Sequence, residues 1–214
     1  MKKTIYLIRH GQTDANLEHV YQGVSGDNPL NAEGIRQATL LGLWMEKYLS
    51  PPEIILSSPA QRALITAFYI HDAYKGKPLP KRGVFKVEDF HEINHGDWEG
   101  KSDSDVAKEY PELYKMWHEN PMAVRFPGGE SMPEAAKRIF DTWTKEVLKS
   151  DEKCLMLVAH AGINFQIING VLGSEKLRNV HQDNSCLNII EMNDDGKLRI
   201  KLLNSTVHLL EAQK

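Results

Sequence analysis

The sequence predicts an α/β domain built in three layers, with a mostly parallel central sheet and helices on both faces. Three observations predict it. Short apolar runs rich in β-branched residues alternate with longer segments of helical spacing. Residues 154–159 form a continuous apolar run, the mark of a strand covered on both faces. The composition, 41% hydrophobic and 26% charged over 214 residues, is that of a globular chain able to bury one sizeable core. No repeat, low-complexity tract or linker interrupts the chain, so 1–214 is read as a single domain.

The elements follow in order. Residues 4–8 read as the first strand. Residues 31–48 place Ile35, Ala38, Leu41 and Met45 near helical spacing, with Asn31 as N-cap. Pro51 and Pro52 stop that helix, and 53–57 is a second short strand. Pro59 fits the first turn of a helix running to about residue 74. Residues 84–87 are a third strand candidate, and 102–110 is a short helix. The stretch 118–129 reads as a loop forming part of a lid. Ser131 and Glu134 make a capping box for a helix with Ala136, Ile139, Phe140, Trp143 and Val147 on one face. The clearest buried strand, 153–159, precedes a helix over 162–172. Strands at 186–192 and 198–203 flank Asn193-Asp194-Asp195-Gly196, where Asp-Gly signals a hairpin.

The net charge of -3 offers no basic surface for nucleic acid or an anionic membrane. The first apolar run is too short for a signal peptide core or a membrane span, so a cytoplasmic protein is expected. Cys154 and Cys186 read most simply as buried free thiols, with a disulfide between them as the alternative.

Open α/β sheets bind ligands beyond the carboxyl ends of their strands. Three strand ends carry chemistry here. The first runs into Arg9-His10-Gly11. The second leads through Ser57-Ser58-Pro59 to Arg62. The strand ending at Ala159 runs into His160. Arginines give bidentate, charge-assisted bonds to phosphate oxygens. A neutral histidine can attack phosphorus, and a protonated one can bind the equatorial oxygens. Each piece alone is weak; two arginines and two histidines on one rim make a set.

The segment Leu7-Ile8-Arg9-His10-Gly11-Gln12-Thr13-Asp14-Ala15-Asn16 resembles the signature of the histidine phosphatase superfamily, the phosphoglycerate mutase-like group. The resemblance continues through Tyr21-Gln22-Gly23, Ser57-Ser58-Pro59 with Arg62, Glu92 before Gly96-Asp97-Trp98-Glu99-Gly100, Gly128-Gly129-Glu130-Ser131 and His160. It implies a phosphoglycerate mutase-like fold and a metal-independent phosphomonoesterase with no cofactor. His10 would be the nucleophile, and Arg9, Arg62 and His160 would hold the phosphoryl group. Asn16 and Gly23 would line the same pocket. Glu92 would protonate the leaving alkoxide and then deprotonate water.

One rival motif lies in the same segment. His91-Glu92-Ile93-Asn94-His95 matches H-E-x-x-H, which binds zinc when both histidines share a helix face. Asn94, Gly96 and Asp97 are poor helix interior residues, and no amphipathic pattern surrounds them. No metal site is assigned.

Within the family the nearest resemblance is to metal-independent phosphoserine phosphatases. It rests on Tyr21-Gln22-Gly23, Glu92-Ile93-Asn94-His95-Gly96, Tyr110-Pro111-Glu112 with Trp117, Asp183-Asn184 and the tail Thr206-Val207-His208-Leu209. It implies that Gln22, His95 and His208 help form the substrate pocket, and it suggests a homodimer. Asp97 and Glu99 depart from that pattern toward broad-specificity and α-ribazole or sugar phosphate phosphatases. A phosphoglycerate mutase is the alternative of another class, and a catalytically dead binding module a third. The expected partner is a small-molecule phosphomonoester.

Overall fold

The computed structural model describes residues 2–26, 28–75, 83–173 and 180–211. Its central sheet has six strands: β1 (Lys3–Arg9), β2 (Ile54–Ser57), β3 (Val84–Lys86), β4 (Cys154–Ala159), β5 (Leu187–Met192) and β6 (Leu198–Ser205). They lie in the order β3-β2-β4-β1-β5-β6. Neighbours from β3 to β1 are parallel, and β5 and β6 add antiparallel at one edge. The mostly parallel α/β sandwich read from the sequence is therefore the fold. The Asn193–Gly196 turn closes the β5–β6 hairpin, with Gly196 at φ +80°.

Alternation along the strands builds a core on each face. Ile5 and Leu7 of β1 point to one side with Leu155 and Leu157 of β4. Tyr6 and Ile8 point to the other with Met156 and Val158. The second face is covered by α2 (Ala32–Tyr48) and α3 (Gln61–Ala73) through Leu41, Met45, Ala67 and Ile70. The first is covered by α6 (Met132–Thr142) and α7 (Ala161–Leu172) through Ile139, Ile163 and Ile167. The helices after β1 and after β4 thus leave to opposite faces. That makes the adjacent ends of β1 and β4 the switch point where such sheets open a crevice.

Most elements match the reading to within two residues, and three details differ. Ile35 sits on the exposed side of α2, leaving Ala38, Leu41 and Met45 as its buried stripe. The buried face of α6 begins at Met132 and Ala135 and continues through Ile139, while Ala136 and Phe140 are only half-buried. The chain over 111–119 is a helix, α5 (Pro111–Glu119), following α4 (Asp103–Glu109). Residues 118–129 are accordingly not a free lid: His118 belongs to α5, and Val124 and Phe126 are buried in the core. A four-residue helix, α1 (Asp14–Leu17), follows β1, and α8 (Val207–Glu211) ends the chain's described part. Both cysteines are free; Cys186 is buried and Cys154 half-buried. Among the described residues, no helix is long and apolar enough to cross a membrane.

Past Thr142 the helical path widens into a π-turn over Trp143–Leu148, which keeps both Trp143 and Val147 in the core. Its end is capped by a buried lysine. Lys3 Nζ donates to the carbonyls of Val147 (2.7 Å), Leu148 (3.2 Å) and Ser150 (2.7 Å). Burial pushes the Lys3 ammonium below its ordinary pKa, while Glu152 and Asp151 act the other way. Lys3→Met keeps the apolar stem and removes the donors. It should lower stability by about 2 kcal/mol, the cost of leaving buried carbonyls unmet. The measurement is a urea midpoint that drops at constant slope.

Candidate active site

Strand register assembles the site. Arg9 of β1 pairs with Ala159 of β4, so the next residues, His10 and His160, emerge side by side. Their rings are edge to face, with centroids 5.2 Å apart. Ser57 of β2 pairs with Val158, which brings Ser58 beside His160 from the other flank. Ser58 Oγ lies 2.7 Å from His160 Nε2.

His10 is 3% exposed and held through its backbone and its ring. Its N–H donates to the Ala159 carbonyl, and its own carbonyl accepts from Ser185 N (3.0 Å) and Asn184 Nδ2 (3.3 Å). Its Nδ1 lies 2.7 Å from the Gly11 carbonyl. A carbonyl only accepts, so Nδ1 carries the hydrogen, and in the neutral ring Nε2 keeps its lone pair. Burial, then Arg62 and Arg9, hold the imidazole well below the ordinary histidine pKa. His160 is depressed in the same way, by burial first and then Arg62, His10 and Arg9. A dianionic phosphoryl group placed between the two rings would offset the charge of both arginines.

Gly11 exists for a close approach. A Cβ there would sit 2.5 Å from the Gly34 carbonyl, and one on Gly34 would strike the Gln12 backbone. The loop carrying the histidine therefore rests directly on the first turn of α2. Gly11 N also donates to Thr66 Oγ1 of α3 (3.0 Å), whose hydroxyl donates to the Arg62 carbonyl (2.7 Å).

The two arginines come in from opposite sides. Arg9 Nη1 donates to the Gln182 carbonyl (2.5 Å). Arg62, 2% exposed, donates from Nη2 to the Gly23 carbonyl (3.0 Å). Gly23 has φ +51°, and a Cβ there would collide with the Glu99 carboxylate. Arg9, with Gly162, Ile93 and Trp117, lines a cavity of about 600 Å³. Arg62, with Gly23, His91 and Glu92, lines a second of about 460 Å³.

Glu92 reaches the site from the loop after β3. Its Oε1 accepts from Ile93 N (2.9 Å) and its Oε2 from Gly162 N (3.1 Å). Gly162 lies in the first turn of α7, two residues past His160, so the carboxylate is tied to the histidine's own helix. The segment 91–95 is irregular rather than a continuous helix, with His95 in helical angles at its end. His91 and His95 therefore do not share a helix face, and the H-E-x-x-H match has no zinc-protease geometry.

Asn16 and Gln22 join the His10 side through a chain of polar contacts. Asn16 Oδ1 accepts from Thr13 N (3.1 Å) and Asn184 Nδ2 (3.0 Å), and Gln22 Oε1 accepts from Thr13 Oγ1 (3.1 Å). His95 is buried among Tyr21, Trp117 and Phe126, with Nδ1 unpartnered. Burial lowers its pKa, while the nearby Glu92 and Glu99 act the other way. His208 stands apart from this group. It is buried in α8, which packs on α2, and its charged neighbour is Arg36.

The sequence model of the histidine phosphatase superfamily (branch 1) matches residues 5–206. The chain belongs to the histidine phosphatase superfamily. Phosphoserine phosphatase 1 of Hydrogenobacter thermophilus is 31% identical over 210 residues, covering 97% of this chain and 94% of that one. Among solved structures, the α-ribazole phosphatase of Shigella flexneri is similar at a TM-score of 0.81 and 26% identity, over 95% of this chain and 96% of that one. The phosphoserine phosphatase of Entamoeba histolytica, solved with 3-phosphoglyceric acid, gives 0.77 and 26%, over 97% and 99%.

Several residues that build this histidine phosphatase site carried no role at the level of sequence. Ser58 holds His160, Gln182 holds Arg9, and Asn184 ties Asn16 to the His10 backbone. Glu99 accepts from Val24 N (3.0 Å), Ser25 N (2.6 Å) and His95 N (2.9 Å), joining the Arg62-binding loop to the His95 turn. The motif around Trp98 flagged Glu99 by position, but its three partners are distant in sequence or on the backbone, where no pattern registers.

Proposed function

We propose that this histidine phosphatase hydrolyses small phosphomonoesters in two steps through a phosphohistidine at His10, with phosphoserine as the preferred substrate. One observation carries the reading: the bond from His10 Nδ1 to the Gly11 carbonyl, which leaves a buried, neutral Nε2 with a free lone pair between two arginines. In the first step Nε2 forms a bond to phosphorus and the ester P–O bond breaks. Glu92 gives its proton to the departing oxygen. In the second, water attacks phosphorus, the P–N bond breaks, and Glu92 recovers a proton from that water. Arg9 and Arg62 supply the positive charge that phosphoryl transfer needs, joined by His160 once the bound dianion favours a proton on its ring, a task metal ions do in other enzymes.

Phosphoserine is favoured by the 31% identity to a phosphoserine phosphatase. Gln22 and His95 are assigned to the leaving-group side. His208 is assigned through the tail, which it docks beside α2, whose first turn abuts Gln12. A second reading, a bulkier leaving group such as a riboside or sugar, is favoured by the size of the Arg9-side cavity, about 600 Å³ and lined by Trp117 and Phe165. The expected working form is a cytoplasmic enzyme, possessing no cofactor and acting as a homodimer.

The test is a phosphomonoester panel with released phosphate measured, with and without chelator. Phosphoserine should exceed 3-phosphoglycerate and p-nitrophenyl phosphate in kcat/KM, and chelator should leave the rates unchanged. Comparable values across the three would make the protein a broad phosphatase. Appearance of 2-phosphoglycerate in place of free phosphate would make it a mutase.

A further inference from the structure

Glu92 must stand at one place to move a proton, yet it sits on a loop. What fixes that loop is an ion pair outside the reacting groups. Arg138, on α6, spreads its guanidinium over three partners. Nη1 donates to the carbonyls of Asp89 (2.7 Å) and His91 (3.1 Å). Nη2 and Nε donate to the two carboxylate oxygens of Glu130 (2.7 and 3.3 Å). Glu130 in turn accepts from Asn94 N (2.8 Å), and its own N–H donates to the Asn94 carbonyl (3.0 Å). The two side chains are only 16% and 15% exposed.

These contacts bracket Glu92. The His91 carbonyl belongs to the peptide bond that enters Glu92, and Asn94 N lies two residues beyond it. Between and beside them, Phe90 and Ile93 are anchored in the core. If the pair served only to dock α6, its remaining donors and acceptors would turn to the helix or to solvent. They turn to the backbone on each side of Glu92.

We propose that Arg138 and Glu130 are positioning residues for proton transfer by Glu92. The planar fork matters, because it grips the carboxylate with two nitrogens while a third reaches both carbonyls, a span that the single nitrogen of a lysine cannot reproduce. This rests on the reading of Glu92 as proton donor, and the test separates the two.

The readout is leaving-group dependence. An alkoxide such as that of serine needs a proton as it departs, whereas p-nitrophenolate leaves as a stable anion. For a two-step enzyme kcat/KM reports only steps through transfer to His10, so hydrolysis of the phosphohistidine does not enter it. The ratio of kcat/KM for phosphoserine to that for p-nitrophenyl phosphate therefore isolates the donor. It should fall about 10-fold or more in Arg138→Met and in Arg138→Met/Glu130→Gln, in line with the cost of misplacing a reacting group. The double variant leaves no buried unpaired charge, and Arg138→Lys keeps the ion pair. Arg138→Lys should give a smaller drop of the same sign. In a Glu92→Gln background, adding Arg138→Met should change the ratio by less than about 2-fold, because the two act as one unit.

If Glu92→Gln lowers the ratio and the Arg138 and Glu130 variants do not, the positioning role is overturned and Glu92 stands. If Glu92→Gln itself leaves the ratio unchanged, both fall. Equal losses on the two esters in the Arg138 variants would mean general damage to the site and also overturn the proposal.

Discussion

His10→Ala is expected to abolish the acid-labile phosphoenzyme and to lower kcat by about 10⁴-fold or more, the scale on which loss of a covalent nucleophile is felt. The expectation follows from how unequal the two histidines are. His10 spends Nδ1 on the Gly11 carbonyl and keeps Nε2 for the substrate. His160 has Nε2 beside Ser58 Oγ, and its Nδ1 has no partner. Only the first arrangement leaves a nucleophilic nitrogen with its tautomer fixed. Labelling with a phosphorylated substrate, acid-labile and lost in His10→Ala, is the measurement. A label that survives in His10→Ala and disappears in His160→Ala would exchange their roles. A variant retaining a tenth of the parent rate would remove covalent catalysis from the scheme.

Mild acid is expected to destabilise the fold steeply, through the same burial that keeps the histidines neutral. His10, His160 and His95 are held below the ordinary value of 6.5, and His208 is pushed down to about 4 by burial and Arg36. In the unfolded chain these rings take up protons as pH falls through about 6.5, the reference value for histidine, while the folded chain does not. The unfolded state then binds more protons, so stability falls as pH falls. The window opens near the unfolded value, and for His208 it closes near about 4. Each such group contributes a slope of about 1.4 kcal/mol per pH unit inside its window. Thermal melts from pH 7.5 downward should show Tm level above the window and falling below it. His208→Met should flatten the fall by about one group's share. A Tm that stays constant well below pH 6 would mean that the folded protein carries these rings protonated.

What was legible in the sequence was whatever local pattern or strand order fixes. The strands were readable because β-branched runs stop at prolines and glycines. The convergence of His10, Arg62 and His160 was readable because strand ends share one rim. The capping box at Ser131 and Glu134 appears as read. Helix α5 was not read: it buries no residue fully, its stripe of Leu113, Tyr114 and Trp117 is short and only half-buried against the core, and its last residues were read as part of a lid. The Glu92 clamp escaped for another reason. Arg138 and Glu130 grip carbonyls and an amide, and backbone groups leave no trace in residue identity. The same holds for Gln182, which binds Arg9 through its main chain. His95 was visible as a loop histidine, but its aromatic surroundings come from three separate segments.

The contact between Gly11 and Gly34 bears on how substitutions in this protein should be interpreted. Neither glycine offers a side chain to a substrate, and neither needs a left-handed backbone. Each is confined because another main chain occupies the space where a methyl group would go. The smallest possible enlargement at either residue would push the His10 loop and α2 apart. Intolerance to change at these two positions would thus match that of the reacting residues, although no bond is made or broken there. In this protein, a map of mutational sensitivity would outline the seat of the nucleophile as well as the nucleophile.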